Sequence, residues 1–182
     1  MMAIGAIRQF IHKAKVMSNS PVNVLFLCTG NSARSILSEA LLNDLGAAKF
    51  KAFSAGSQPS GQPHPDGLAE LERRGHATHS YRSKSWDEFA ADNAPVMDII
   101  VTVCSSAAGE VCPVWPKVKG QKQITVHWPA DDPAHIEPLE TRKLAFLNVY
   151  DLCKARIEAL INLTDEELKD KKILQAISDI QA

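Results

Sequence analysis

Cys28 closes an apolar run and stands six positions before Arg34 in VNVLFLCTGNSARS, Val22 to Ser35. A cysteine thiolate is a nucleophile, and a guanidinium fork can grip two oxygens of a tetrahedral anion. Between them lie Thr29, Gly30, Asn31, Ser32 and Ala33, all short. Their successive backbone N–H groups can curl around such an anion while a following helix points its positive end at it. The same field is expected to lower the pKa of Cys28 and populate the thiolate at neutral pH. Ser35 is placed to donate a hydrogen bond to the sulfur, and Asn31 to hold the loop through side-chain to backbone bonds. A free cysteine is usually a small buried hydrophobe, but this spacing at a strand–helix junction marks Cys28 as chemical. A Walker-type phosphate loop fits less well, because its lysine and its GxxxxGK spacing are missing.

Such a loop needs a strand that ends where a helix begins. Val22 to Leu27 is almost continuously apolar, which suits a strand buried on both faces. From Ser35 the spacing turns helical, with Ile36, Leu37, Ala40, Leu41 and Leu45 on one face and Gly46 as a C-cap. Lys51 to Ala55 reads as a second strand, Gly56 to Gly67 as a turn-rich connection, and Leu68 to Arg74 as a helix ended by Gly75. Ser85 to Ala91 reads as a short helix. Met97 to Val103 is another apolar strand and, like the first, is followed or ended by a cysteine, here Cys104. Ile124 to Trp128 is a fourth strand and runs into the polar loop PADDPAHIEP. Leu139 to Leu163 is a long helix. Thr164, with Glu167 in capping-box spacing, starts a further one.

This alternation predicts an α/β fold, a four-stranded parallel sheet with helices on both faces. In such folds ligands bind at the carboxyl ends of the strands. Cys28, Cys104 and the loop after Trp128 all fall at strand carboxyl ends, so three chemically loaded segments converge on one rim.

The 182 residues, 45% hydrophobic and 23% charged, suffice for one domain with a sizeable core. Residues 1–20 read as a loose N-terminal extension, with Met17 as a possible functional start. Residues 21–163 read as the α/β domain and residues 164–182 as a helical extension. A net charge of -1 gives no reason to expect a nucleic acid or anionic membrane as partner, so any bound anion must be held by a local site. No apolar run approaches the roughly 20 residues needed to cross a bilayer. The cysteines at 28, 104, 112 and 153 form no CxxC pair and have no metal-ligand spacing. No metal is expected, and a cytoplasmic, reducing setting is. Cys153, in the middle of the long helix, reads as core. His64, His76, His79 and His135 read as surface or turn residues, and His127 as structural.

CTGNSARS after VLFL resembles the anion-binding loop of low-molecular-weight protein tyrosine phosphatases and of the arsenate reductases that share their fold. The likeness continues in FSAGS (Phe53 to Ser57), RSKSWDEF (Arg82 to Phe89), VTVC with CPVWP, and the HW..DDPA segment from His127 to Ala134. The resemblance implies that Cys28 attacks a tetrahedral oxyanion held by Thr29 to Arg34, while an aspartate protonates the leaving oxygen. Of Asp131 and Asp132 it favours Asp132, which precedes Pro133; Asp131 reads as a solvated turn residue.

A phosphatase needs no second thiol, whereas a reductase must deliver two electrons to arsenic(V). The resemblance therefore implies a relay in which Cys104 takes Cys28 into a disulfide and Cys112 resolves it to Cys104–Cys112. An external reductant, thioredoxin or glutathione with glutaredoxin, would reopen that bond, and no bound cofactor is expected. The substrate would be arsenate, with phosphate or sulfate competing. The phosphatases stack a tyrosyl ring on aromatics after the Asp-Pro pair, but here Pro133 is followed by Ala134 and His135. Two departures leave the electron donor open. Ala33 stands where thioredoxin-coupled members often carry another cysteine, and the Cys104 to Cys112 spacing is one residue longer than in the best-known members. A potassium site is not carried over, because Ser85 stands where an acidic ligand belongs. The alternatives are a phosphomonoesterase and a redox-sensing oxyanion-binding protein.

Overall fold

The apolar run before Cys28 becomes a central strand. The structure is a computed structural model that describes residues 20–104 and 122–181. Strands β1 (Val22–Cys28), β2 (Phe50–Gly56), β3 (Ile99–Thr102) and β4 (Ile124–His127) form one sheet in the order β2-β1-β3-β4. All three pairings are parallel, and Leu27 lies between Ala55 on one side and Thr102 on the other. A central parallel strand is covered on both faces, which is why Val24 to Leu27 can be uninterrupted hydrophobes at 0% exposure. Their side chains alternate. Val24, Phe26 and Cys28 join one core cluster, and Leu25 and Leu27 join the other.

Helices α1 (Arg34–Leu45), α2 (Pro65–Arg73) and α3 (Leu139–Ile161) contribute to the first cluster, and a 3-10 turn at Trp86–Phe89 covers the second. Every residue of α1 from Ser35 to Leu42 is buried, because the helix lies between the sheet and α3. Burial there follows position along the helix rather than one face. Leu45, expected on the buried face, is accordingly 41% exposed at the last turn. Helix α2 starts earlier than the hydrophobic spacing predicts. The His64 ring accepts from Asp66 N, and Pro65 supplies a preset φ at the first turn.

Residues 164–181 do not form one helix. Thr164 and Glu167 cap each other as their spacing predicts, Thr164 N donating to Glu167 Oε2 at 2.7 Å and Glu167 N to Thr164 Oγ1 at 3.3 Å. The turn they open is 3-10 and stops at Asp170, whose extended backbone breaks the helix. The Asp170 side chain then caps α4 (Lys171–Ala176). Leu168, Leu174 and Ile177 join the main core cluster.

His76 differs from its expected surface role. Its side chain is 8% exposed and bridges α1 to α3, with Nδ1 2.8 Å from Asp44 and Nε2 2.7 Å from Tyr150 Oη. His64 is half-buried against Phe146. His127 is structural, its Nδ1 2.9 Å from Thr102 Oγ1. Trp128 is core, beside Phe26. Cys112 and Trp115 lie outside the described residues, as do residues 1–19. Among the described residues no helix is long and apolar enough to cross a membrane.

Candidate active site

The loop from Thr29 to Ala33 joins the carboxyl end of β1 to the first turn of α1, as its residue types require. Three of its carbonyls are turned outward by a neighbouring segment. Gln58 N donates to Thr29 O at 3.0 Å, Ser60 N to Gly30 O at 2.9 Å, and His64 N to Ser32 O at 2.8 Å. Ser83 Oγ also donates to Gly30 O, at 3.2 Å. In a planar trans peptide the N–H points opposite to its C=O. The amides of Gly30, Asn31 and Ala33 are therefore turned to the inner side of the loop. Asn31 N already donates to Cys28 Sγ at 3.2 Å. This outer belt, residues 57–64, was missed in the sequence; the resemblance at FSAGS was its one signal.

Asn31 is the loop's hinge pin. It is 0% exposed and holds φ at +43°, a left-handed conformation that asparagine tolerates better than most residues. Its Oδ1 accepts from Lys84 N at 2.7 Å, and its Nδ2 donates to Ser35 Oγ at 3.0 Å and to Ser54 Oγ at 2.8 Å. Because Ser35 Oγ accepts from Asn31, its own proton is available to Cys28 Sγ, 2.9 Å away. Below the loop, Glu39 accepts from Ser54 Oγ and lies 3.3 Å from the Lys84 ammonium. Burial pushes the Glu39 carboxyl above its ordinary value, and Lys84 and Ser54 oppose the rise without cancelling it. Glu39 is thus already met by a resident cation. No cluster of three or more His, Cys, Asp or Glu suited to a metal lies among the described residues.

Cys28 itself is 3% exposed. Burial pushes its thiol above the ordinary cysteine value, with Cys104 adding to the rise. The hydrogen bond from Ser35, the Arg34 guanidinium and the Asn31 N–H pull it down without cancelling burial. The expected depressed pKa is therefore corrected. The loop's donors lower the pKa, as the sequence implies, but the hydrophobic cluster around the sulfur raises it more.

Arg34 reaches across the rim. Its Nη1 donates to Ala130 O at 3.0 Å and its Nη2 to Asp132 Oδ2 at 2.7 Å, while its buried Nε has no partner among the described residues. Asp132 Oδ1 accepts from Ala134 N at 3.0 Å. Asp131 is exposed. Cys104, 4% exposed, follows β3 on the same side of the sheet as Cys28, and its Sγ lies 3.5 Å from Thr29 Oγ1. Cys28 is a free thiol. Cys153 is buried and takes a weak hydrogen bond from Ser38 Oγ at 3.5 Å.

A nucleophilic thiol, an oxyanion cradle, an arginine, a carboxyl group and a second thiol thus meet on one rim. Cys112, expected as the third sulfur, falls outside the described residues.

Comparisons with known proteins agree with this geometry. The sequence pattern of the low molecular weight phosphotyrosine protein phosphatases matches residues 23–174. An arsenate reductase of Bacillus subtilis is 34% identical over 124 residues, 68% of this chain and 82% of the relative. Another, from Halalkalibacterium halodurans, is 33% identical over 136 residues, 74% of this chain and 91% of the relative. Among solved structures, a thioredoxin-dependent arsenate reductase of Corynebacterium glutamicum superposes with a TM-score of 0.56 at 27% identity. That superposition covers 78% of this chain and 61% of the other.

Proposed function

Because the chain belongs to the low molecular weight phosphotyrosine protein phosphatase family, we propose that it turns that family's oxyanion site to the reduction of arsenate. The protein is an arsenate reductase, converting arsenate to arsenite by a thiol relay. The observation that carries this reading is Cys104, a second buried cysteine at the strand end next to Cys28, in contact with Thr29 of the oxyanion loop. Phosphate ester hydrolysis has no use for such a thiol. A small inorganic anion also needs no aromatic wall, and Ala134 and His135 supply none.

Arsenate sits in the loop with its oxygens on the inward amides. Arg34 exchanges Ala130 O and Asp132 for two of those oxygens. The Cys28 thiolate attacks arsenic(V), an As–S bond forms, and an As–OH bond breaks. Asp132 protonates the departing hydroxide, which leaves as water. Next the Cys104 thiolate attacks Cys28 Sγ. The As–S electron pair passes to arsenic, which departs as arsenite at oxidation state III, and a Cys28–Cys104 disulfide remains. Cys112 attacks Cys104, giving Cys104–Cys112 and restoring the Cys28 thiolate. An external dithiol returns the two electrons. Thioredoxin is the donor that the Corynebacterium relative favours by its description.

Replacing Ser35 with alanine removes a side-chain donor to the Cys28 sulfur. Since burial already raises that thiol, losing Ser35 raises it further, and the thiolate appears only at higher pH. The acid limb of the kcat/KM profile is expected to move to higher pH. The loss near neutrality should be on the order of tenfold, the worth of a hydrogen bond to a charged group. An unmoved acid limb would show that Ser35 does not hold the thiolate.

The overall reading is tested by following NADPH oxidation driven by arsenate, once with thioredoxin and its reductase and once with glutathione, glutaredoxin and glutathione reductase. Turnover is expected with thioredoxin. No arsenate-dependent oxidation with either system would sink the reductase reading, and turnover with glutaredoxin alone would reassign the donor.

A further inference from the structure

The acid loop is fastened to the C-terminal segment at three consecutive residues just before it. Strand β4 is the edge of the sheet. Ile124 N donates to Asp98 O and Trp128 N to Thr102 O, toward β3, so the intervening His127 turns its own N–H and C=O to the open edge. The Gln175 side chain meets both, with His127 N donating to Oε1 at 3.0 Å and Nε2 donating to His127 O at 2.6 Å. A single carboxamide thus does the work of a fifth strand. One residue on, Trp128 Nε1 donates to Leu174 O at 2.8 Å. One further, Arg156 forks between Pro129 O and Ser178 O, both at 2.8 Å.

Arg156 is 5% exposed, and its hydrogen bonds go to main-chain carbonyls rather than to a carboxylate. Its Nε has no partner among the described residues. Burying a guanidinium on these terms is costly, and the gain is geometric. The next residue, Ala130, is held by Val103 O through its N–H and by Arg34 through its C=O, and Asp132 is held by Arg34. When Arg34 turns to an oxyanion it releases Ala130 O and Asp132 together. Ala130 N on Val103 and the fastening of His127, Trp128 and Pro129 still hold the chain where it enters the loop.

We propose that Gln175 and Arg156 are positioning residues, which clamp the chain before the acid loop to residues 174–178 and so keep Asp132 in range of the leaving oxygen while Arg34 is engaged. This rests on the reading of Asp132 as general acid. The clamp leaves the oxyanion cradle alone, because neither residue bonds to the loop from Thr29 to Ser35.

The test is single-turnover arsenite release by fully reduced protein, which needs no external donor, on Gln175→Ala, Arg156→Met, Asp132→Asn and each clamp variant combined with Asp132→Asn. A general acid contributes about 10²- to 10⁴-fold, and misplacing it is expected to slow release about tenfold in each clamp variant. Protection of Cys28 from iodoacetamide by inorganic phosphate should be unchanged. In the Asp132→Asn background the clamp variants should cost nothing more, since there is no acid left to place. Losses that multiply in the double variants, or a clamp variant as fast as the parent, would overturn the proposal while leaving Asp132 as the acid. If Asp132→Asn is itself as fast as the parent, the acid reading fails and the clamp with it. Should Arg156→Met not fold, Gln175→Ala carries the test, because Gln175 is only half-buried and uncharged.

Discussion

Cys104→Ser is expected to abolish arsenite formation, by at least about a thousandfold, because a relay missing one covalent member has no alternative route. Serine has nearly the shape of cysteine and keeps a polar contact to Thr29 Oγ1, so the rim should stay intact. It cannot form a disulfide or yield electrons. Cys28 would still attack arsenate, but the adduct could only revert by hydrolysis, with arsenic still at V. Iodoacetamide labelling of Cys28 and its protection by phosphate use no part of Cys104 and should persist. Measuring arsenite release beside that labelling separates the outcomes. Continued arsenite release by the variant would mean that the second electron-donating thiol lies elsewhere. Loss of labelling as well would mean that Cys104 is a packing residue whose removal disorders the loop.

Gly56→Ala is expected to lower kcat/KM at least about a hundredfold, although the residue touches no substrate. Gly56 pairs with Cys28 across the sheet. A Cβ there would collide with the Thr29 carbonyl oxygen and stand 2.9 Å from Asn31 N and 3.0 Å from Asn31 Cβ. Backbone atoms cannot rotate out of the way as a side-chain tip can. Either β2 or the loop must move, and a shift of about 1 Å at a reacting centre costs on the order of 10²-fold. The stability loss should be about 1–3 kcal/mol, as for an extra methyl in a packed region. Circular dichroism and a melting curve would show a folded protein, while phosphate would no longer protect Cys28. Activity near the parent's would mean that the loop's position does not depend on this contact.

Much of the site was legible because its chemistry is local. Cys28, the short residues after it, Arg34 and Ser35 occupy eight successive positions, and the switch from a continuous apolar run to helical spacing places them at a strand–helix junction. Cys104 was legible for a similar reason, since a second apolar run ends at it. The capping pair Thr164 and Glu167 is local too and forms as spaced. Less legible were residues whose surroundings come from afar. Leu45 has the right spacing for the core, yet it projects beyond the elements that bury α1 from Ser35 to Leu42. His76 lacks any apolar pattern, yet it is enclosed by Asp44 and Tyr150, 32 and 74 residues away.

By itself, then, the sequence determined the order of strands and helices, the parallel sheet, and the kind of chemistry that its loops can perform. Periodicity and residue type act over a few neighbours, and a strand–loop–helix junction is built from neighbours. Only the tertiary structure decided how that chemistry is tuned. Burial in a shared hydrophobic cluster raises the Cys28 thiol against its local donors. Arg34 meets Asp132 across 98 positions of chain. The belt from Gln58 to His64 turns the loop's carbonyls outward, and Gln175 closes the edge of β4 beside the acid loop. Each of these depends on which distant segments the packed sheet and helices bring within a few ångströms, and local spacing does not encode that.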